Sequence, residues 1–421
     1  MASSAPRQGL AFVYVTTLFF IWGAVTSVND VLIPAVKEIF TLTDTQGFLT
    51  QFAFFMAYAV VSLPAAAVDQ KLGSARAIIL ALAIMVVGCL LMPVATHVRS
   101  YSIVLVALFV IASGITLLQV AANPLSAVLG PPERSHFRLV LSQAFNSLGT
   151  VVGPYLAAHT LLQGGLFAGG EPTEAKIVES LGRIDVAYYF IAAVIVLLAI
   201  FLFSVRHRIA NAAPSLETHS GGIGAALGAK WALLGAGAIF LYVGAEVSIG
   251  STMVNFLEQP NILAIAAAEA GKLVSLYWLG AMIGRFVGSF LLTLVPAGRL
   301  LTIVAGVAAL LCLTVSQILG TPAAMIAISI GLFNSIMFPV IFTLTLERST
   351  APAPATSGLL CMAIVGGALM PLLFARVADA TASRSTAFLV PMACYLLITL
   401  FALAAGRARI VAEADAPVGS H

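Results

Sequence analysis

Apolar runs of roughly 20 residues recur along almost the whole chain, and nothing else in it limits folding so severely. Inside lipid such a run finds no water for its backbone polar groups, so each must close its own hydrogen bonds as a helix. A scan places about twelve runs, at 10–36, 45–68, 74–96, 101–129, 137–163, 185–206, 229–257, 268–294, 298–318, 321–346, 355–378 and 385–405. Composition points the same way. Of the 421 residues 61% are hydrophobic and 9% charged, where soluble domains carry about 25% charged residues. The expected fold class is therefore an all-α, multi-pass membrane protein. An even number of spans leaves both termini on one side. The basic residues identify that side as cytoplasmic, because Lys71, Arg76, Arg134, Arg138, Arg206 and Arg208 then fall on the inner side.

The leading segment MASSAPRQGL runs directly into a span too long and too polar-marked for a cleaved signal peptide, so it is expected to act as its own insertion signal. A net charge of +3 with no basic run argues against a nucleic-acid partner. Cys89, Cys312, Cys361 and Cys394 all lie in apolar segments without CxxC spacing, which makes them packing residues and not metal ligands or disulfides. The histidines are scattered, and only His159 falls within an expected helix. No HExxH, nucleophile elbow or phosphate-binding glycine loop is present, so no catalytic residue, metal site or cofactor is expected, and an intramembrane enzyme is a remote alternative.

Two longer loops break the rhythm. Residues 164–183 are mildly acidic and expected outside; residues 207–228 are rich in Gly, Ala and Ser and expected inside. The second divides the helices six and six, giving an N-terminal bundle 1–206, a linker 207–228 and a C-terminal bundle 229–421 with a short cytoplasmic tail. This organisation resembles the two parallel six-helix repeats of the major facilitator superfamily, which implies a substrate site near the membrane midplane between the bundles. Weak internal symmetry agrees: Trp22-Gly23-Ala24 in helix one is echoed by Val243-Gly244-Ala245 in helix seven. The loops after helices two and eight also echo one another. The first, DQKLGSAR (69–76), resembles a degraded form of the superfamily's cytoplasmic loop signature. Asp69 and Arg76 are then gating candidates that pair across helix ends; the alternative is a Gly turn with solvated charges.

Asp30 is the residue that speaks most directly to function. It lies within the first span, where a carboxylate is expensive and survives mostly when it faces a bundle interior or an aqueous path. Thr26 and Ser27 share its helical face one turn back. A protonatable transport site is the favoured reading, and a buried Asp bonded to a neighbouring helix the alternative. Glu246, in the middle of helix seven, is a second embedded acid. It is a candidate acceptor for a ligand hydroxyl, a proton carrier or a structural ion-pair partner.

Uncharged polar residues form stripes on two consecutive helices. Thr116, Gln119, Asn123 and Ser126 share one face of helix four, and Gln143, Asn146, Ser147 and Thr150 one face of helix five. An amide offers both a donor and an acceptor without full charge, which suits a neutral polyol; interhelical hydrogen bonding is the competing role. The second half is poorer in such groups. Asn255 and Asn334 are its further binding candidates, Gln317 falls at a helix terminus, and Trp278 is a candidate stacking platform for a sugar ring. Arg285 is expected to snorkel or pair at a gate and not to touch substrate.

Seven strings recur in order: VNDVLIP (28–34), FAFFMAYAVVSLPA (52–65), LQVAANPL (118–125), QAFNSLGT (143–150), YVGAEVSIGS (242–251), GLFNSIMFPVIFTL (331–344) and SGLLCMAIVGGALMP (357–371). Together they resemble the fucose–galactose–glucose:proton symporter family, and most closely its glucose/galactose branch, from about residue 10 to about residue 400. The resemblance implies a two-bundle fold, a hexose substrate and cation coupling. It also implies that Gln143 and Asn146 lie on the sugar-binding helix. One departure separates the chain from the fucose branch, which carries a glutamate on helix four where this chain has Gln119. Gln119 cannot titrate, so Asp30 is the embedded acid left in the first half. The expectation is a hexose:proton symporter of an inner membrane, monomeric, with membrane lipid around it. The alternatives are sodium coupling, an uncoupled facilitator, or N-acetylglucosamine, mannose or fucose as the sugar.

Overall fold

The computed structural model describes residues 5–40, 42, 44–160, 164–165, 173–212, 222 and 224–411. Its long elements are α1 (Ala5–Ile39), α2 (Asp44–Leu72), α3 (Ser74–Val98), α4 (Tyr101–Val128), α5 (Ser135–Thr160) and α6 (Glu174–Ala212). They continue as α7 (Lys230–Leu257), α8 (Ala267–Leu291), α9 (Ala297–Gln317), α10 (Gly320–Arg348), α11 (Ala353–Thr381) and α12 (Arg384–Arg407). Eleven helices among the described residues are long and apolar enough to cross a membrane. The helix outside that set is α5, whose polar stripe dilutes its apolar content. This is a multi-pass, all-helical membrane protein.

Three elements depart from the expected spans. The sixth run was expected at 185–206, yet α6 covers 39 residues, Glu174–Ala212. At 1.5 Å per residue that is about 58 Å, well beyond a hydrocarbon core of about 30 Å. Half of the expected outer loop 164–183 and the first residues of the expected linker are therefore helical. The added turns are polar but carry spaced ion pairs: Glu179 with Arg183 at 3.0 Å, and Glu174 with Arg99 at 2.7 Å. A hydropathy scan sees only the lipid-crossing part of such a helix. Second, α10 is broken at Ser335–Ile336 into Gly320–Asn334 and Met337–Arg348. Third, α11 tightens into a 3-10 turn at Ala363–Val365. Residues 213–221 of the linker and 166–172 of the outer loop lie outside the described residues.

By compactness the chain divides into Met1–Gly130 with Phe145–Ser215, and Pro131–Ala144 with Leu216–His421. In the first unit α2 packs on α4, α3 on α4 and α6, and α1 on α6. In the second, α8 packs on α10, α9 on α10 and α12, and α7 on α12 and α11. The pairings repeat with an offset of six helices.

Glycine decides how closely the helices approach. A Cβ on Gly149 of α5 would press into the Phe20 carbonyl and Ala24 nitrogen of α1, and one on Gly153 into the Ala24 backbone. From the other side, a Cβ on Gly23 would meet the Asn146 backbone. The second unit repeats this between α7 and α11. There Gly366 abuts the Phe240 carbonyl, and Gly244 abuts Met370 and the Gly366 carbonyl. Lipid tails are as apolar as the side chains, so helices associate chiefly through such close packing. Gly149→Leu should therefore destabilise the protein by about 1–3 kcal/mol or more through overpacking. Gly182→Ala, in open space, should be neutral. Thermal melting of detergent-purified variants checks both; equal melting temperatures would refute the seam.

Candidate functional site

On α4 and α5 the amide stripes lie inside the helical packing. Gln119 is 8% exposed and its Nε2 donates to the Tyr58 hydroxyl of α2. Asn123, Thr116 and Ser126 are fully buried on the same face, and Thr116 turns its hydroxyl back to the Ala112 carbonyl at 2.8 Å. On α5, Gln143 is 7% exposed, and Thr150 donates to the Ser147 carbonyl at 2.7 Å. Asn146 is half-buried. Its Nδ2 donates to the Phe19 carbonyl of α1 at 3.0 Å, while its Oδ1 accepts no hydrogen bond among the described residues. The glycine seam holds that arrangement, since Gly23 leaves the space in which the Asn146 backbone and Nδ2 sit. One end of the amide is thus fixed to α1, and the other remains an acceptor. Asp30 lies within α1, and its side chain is outside the described residues. One turn back, Thr26 donates to the Trp22 carbonyl at 3.0 Å.

The second unit gathers its polar groups into one buried cluster. Glu246 on α7 has its Oε1 buried without a hydrogen-bond donor among the described residues. The nearest cation is Arg285 of α8, with Nη2 at 3.9 Å from that oxygen. Arg285 Nε donates to the Ser335 carbonyl at 3.0 Å, an acceptor left open because Pro339, four residues on, has no N–H. Asn334, just before the break and fully buried, donates from Nδ2 to the Tyr277 hydroxyl at 2.7 Å. That hydroxyl in turn faces the Glu246 carbonyl at 3.5 Å. The Tyr242 hydroxyl lies beside Glu246, and that of Tyr395 beside Asn334, neither in a well-formed hydrogen bond.

The remaining candidates lie apart from these groups. Asn255 is exposed near the end of α7, where its carbonyl accepts from Arg384 at 3.0 Å. Trp278 is 44% exposed, edge-on to Tyr277 and resting on Gly250. Gln317 is exposed at the end of α9. Asp69 is 3% exposed while Arg76 is exposed, and no ion pair joins them among the described residues; the neighbour of Asp69 is Ser74. All four cysteines are buried and free.

Sequence reasoning missed polar groups built on histidine, His97 beside Asp185 at 3.6 Å among them. Histidines other than His159 were expected outside helices, yet His97 lies in α3, His207 in α6, and His136 in the first turn of α5. Its Nδ1 meets the Thr343 hydroxyl at 2.6 Å and its Nε2 lies 3.3 Å from Glu347, which also accepts from Ser135 at 2.8 Å. Arg348 beside them donates to the Ala405 carbonyl at 2.7 Å. The residues are 207 positions apart, a separation that no local pattern reveals.

A model of the Major Facilitator Superfamily matches residues 15–357. The chain belongs to the Major Facilitator Superfamily. Within it, the chain is 40% identical to the glucose/galactose transporter of Brucella abortus over 95% of both chains. It is 30% identical to the L-fucose-proton symporter of Escherichia coli, over 93% of this chain and 92% of that one. A crystal structure of the Escherichia coli fucose:proton symporter superposes with a TM-score of 0.84 at 25% identity, covering 96% of this chain and all of the other. These relatives place it in the fucose–galactose–glucose branch of the superfamily, a family of membrane transporters and not of enzymes.

The cluster makes a prediction about stability. Tyr277→Phe leaves the buried Asn334 amide without its acceptor and should cost about 1–3 kcal/mol. Tyr395→Phe removes a hydroxyl that is not well bonded and should cost less than about 1 kcal/mol. Unfolding of the two purified variants compares them directly; an equal loss would refute the Asn334–Tyr277 link.

Proposed function

We propose that this chain is a proton-coupled hexose importer of an inner cell membrane, monomeric, with glucose and galactose as its leading substrates. The observation that carries the reading is the match to the Brucella abortus glucose/galactose transporter across 95% of both chains. Its physical support is the uncharged amide chemistry of α4 and α5, suited to a neutral polyol. The sugar hydroxyls are assigned to Gln143, Asn146, Gln119 and Asn123 from the first half of the sequence and to Glu246 and Asn334 from the second. Twelve spans in two six-helix halves, with both termini cytoplasmic, complete the proposal.

Transport follows alternating access. Asp30 accepts a proton from outside, and its neutralisation lowers the cost of enclosing the site away from water. The sugar and proton then leave together on the inner side, and the empty carrier returns. Ligand binding drives this cycle only as far as it favours one state over the other, so the proton must bind the two states unequally.

A second reading concerns the coupling ion. Gln119 is an amide already donating to Tyr58, so α4 supplies no second titrating group. Sodium coupling or uncoupled facilitation remains the rival. Uptake of radiolabelled sugars into proteoliposomes under imposed proton and sodium gradients separates the three.

Accumulation of glucose or galactose under an inward proton gradient alone is the expected result. Asp30→Asn should abolish that accumulation and leave sugar binding largely intact. Asn146→Ala should weaken binding at least about tenfold, as expected for a hydrogen bond lost in a dry site. Uphill uptake retained in Asp30→Asn under a proton gradient would refute the coupling role.

A further inference from the structure

We infer that Arg285 is a positioning residue, one that holds Glu246 as a loosely paired carboxylate and so keeps it available as an acceptor for sugar hydroxyls. The inference rests on the reading of Glu246 as a substrate-binding group.

The argument starts from distance. A direct charge-assisted hydrogen bond between guanidinium and carboxylate spans about 2.7–2.9 Å. Arg285 Nη2 stands 3.9 Å from Glu246 Oε1, near enough for strong attraction in a dry interior but too far to occupy the oxygen's lone pairs. Both side chains are enclosed, at 16% and 14% exposure. The separation has a structural cause. Arg285 Nε is held by the Ser335 carbonyl at the break in α10, which anchors one edge of the planar guanidinium and turns another toward Glu246. Pro339, four positions on, has no N–H to offer that carbonyl, so it stays open to Arg285.

Among the described residues, Arg285 is the charged group that acts on Glu246. Tyr242 one turn back on α7, Tyr277 on α8 and Tyr395 on α12 are phenols, and Cys312 on α9 is a thiol. All titrate in the alkaline range when unperturbed. Asn334 of α10 is neutral, and α11 meets Gly244, two residues before Glu246, with Met370 and a backbone carbonyl. Without Arg285, Glu246 would be a buried charge lacking a counter-ion, and such a group takes up a proton instead. A protonated Glu246 would keep one acceptor oxygen and lose its charge-assisted grip on the sugar.

The test measures binding of glucose and galactose from about pH 5 to about pH 9, with thermal unfolding, on the purified full-length parent. The same is done for Arg285→Gln, Arg285→Lys, Glu246→Gln and the double variant Glu246→Gln/Arg285→Gln. Arg285→Gln should weaken binding at least about tenfold and introduce a pH transition that the parent lacks. Arg285→Lys should retain the parent profile, and the double variant should lose the new transition. In the unfolding arm, the double variant should be more stable than Arg285→Gln, because it no longer buries an unpaired charge. That comparison also decides the case if Arg285→Gln folds poorly. An Arg285→Gln profile identical to the parent's, or a double variant whose losses are simply additive, overturns the inference. If the parent binds neither sugar, the hexose reading fails, while the sugar-free unfolding comparison still reports on the pair.

Discussion

Everything in this fold depends on how closely two helix backbones can come together where burial from water supplies no drive. In lipid, contact area and backbone proximity must do what the hydrophobic effect does elsewhere. The chain meets that demand with absent side chains. Gly149 and Gly153 let α5 lie against the carbonyls of α1, and Gly366 does the same for α11 against α7. Gly88 and Gly114 perform the service between α3 and α4, and Gly284 and Gly331 between α8 and α10. The polar groups inherit their geometry from these contacts: Asn146 reaches the Phe19 carbonyl only because α5 lies close on α1.

The two halves treat polarity differently on a shared frame. The first spreads uncharged amides along α4 and α5 and ties them to backbone carbonyls or to Tyr58. The second concentrates charge, with Glu246 and Arg285 enclosed among three tyrosines and Asn334. The break in α10 links that cluster to the backbone. It ends a helix beside Asn334, and Pro339 just beyond it has no N–H to close on the Ser335 carbonyl, which Arg285 binds instead. Irregular backbone at this depth is tolerated because protein encloses it and a side chain satisfies it.

Much of this was legible from the sequence, for reasons that differ by element. Spans such as α3, α4 and α9 could be read because hydropathy is a local property and apolar residues dominate nearly their whole length. The limits of α6 could not, since its ends are stabilised by ion pairs that a hydropathy window counts as loop. Helical periodicity put Gln143 and Asn146 on one face and Gln119 and Asn123 on another, because facing depends only on spacing. It could not reveal that Arg285 lies beside Glu246, 39 positions away and on a different helix, nor that His136 meets Glu347. Those contacts depend on helix rotation and approach, which the seam glycines set and which a single sequence does not state.

The length of α6 has a consequence for how the first unit is held in the bilayer. A helix of about 58 Å crossing about 30 Å of hydrocarbon must project into the aqueous or headgroup zone. Its first turns bear Glu174, Glu179 and Arg183, and its last bear Arg206, His207 and Arg208, with Arg206 lying over the Phe203 ring at 3.7 Å. Sliding the helix by one turn in either direction would drag one set of charges toward the oily interior. The charged ends therefore act as a depth gauge. Because α3 and α1 pack on α6, the charged ends of one helix set the depth of its two neighbours as well.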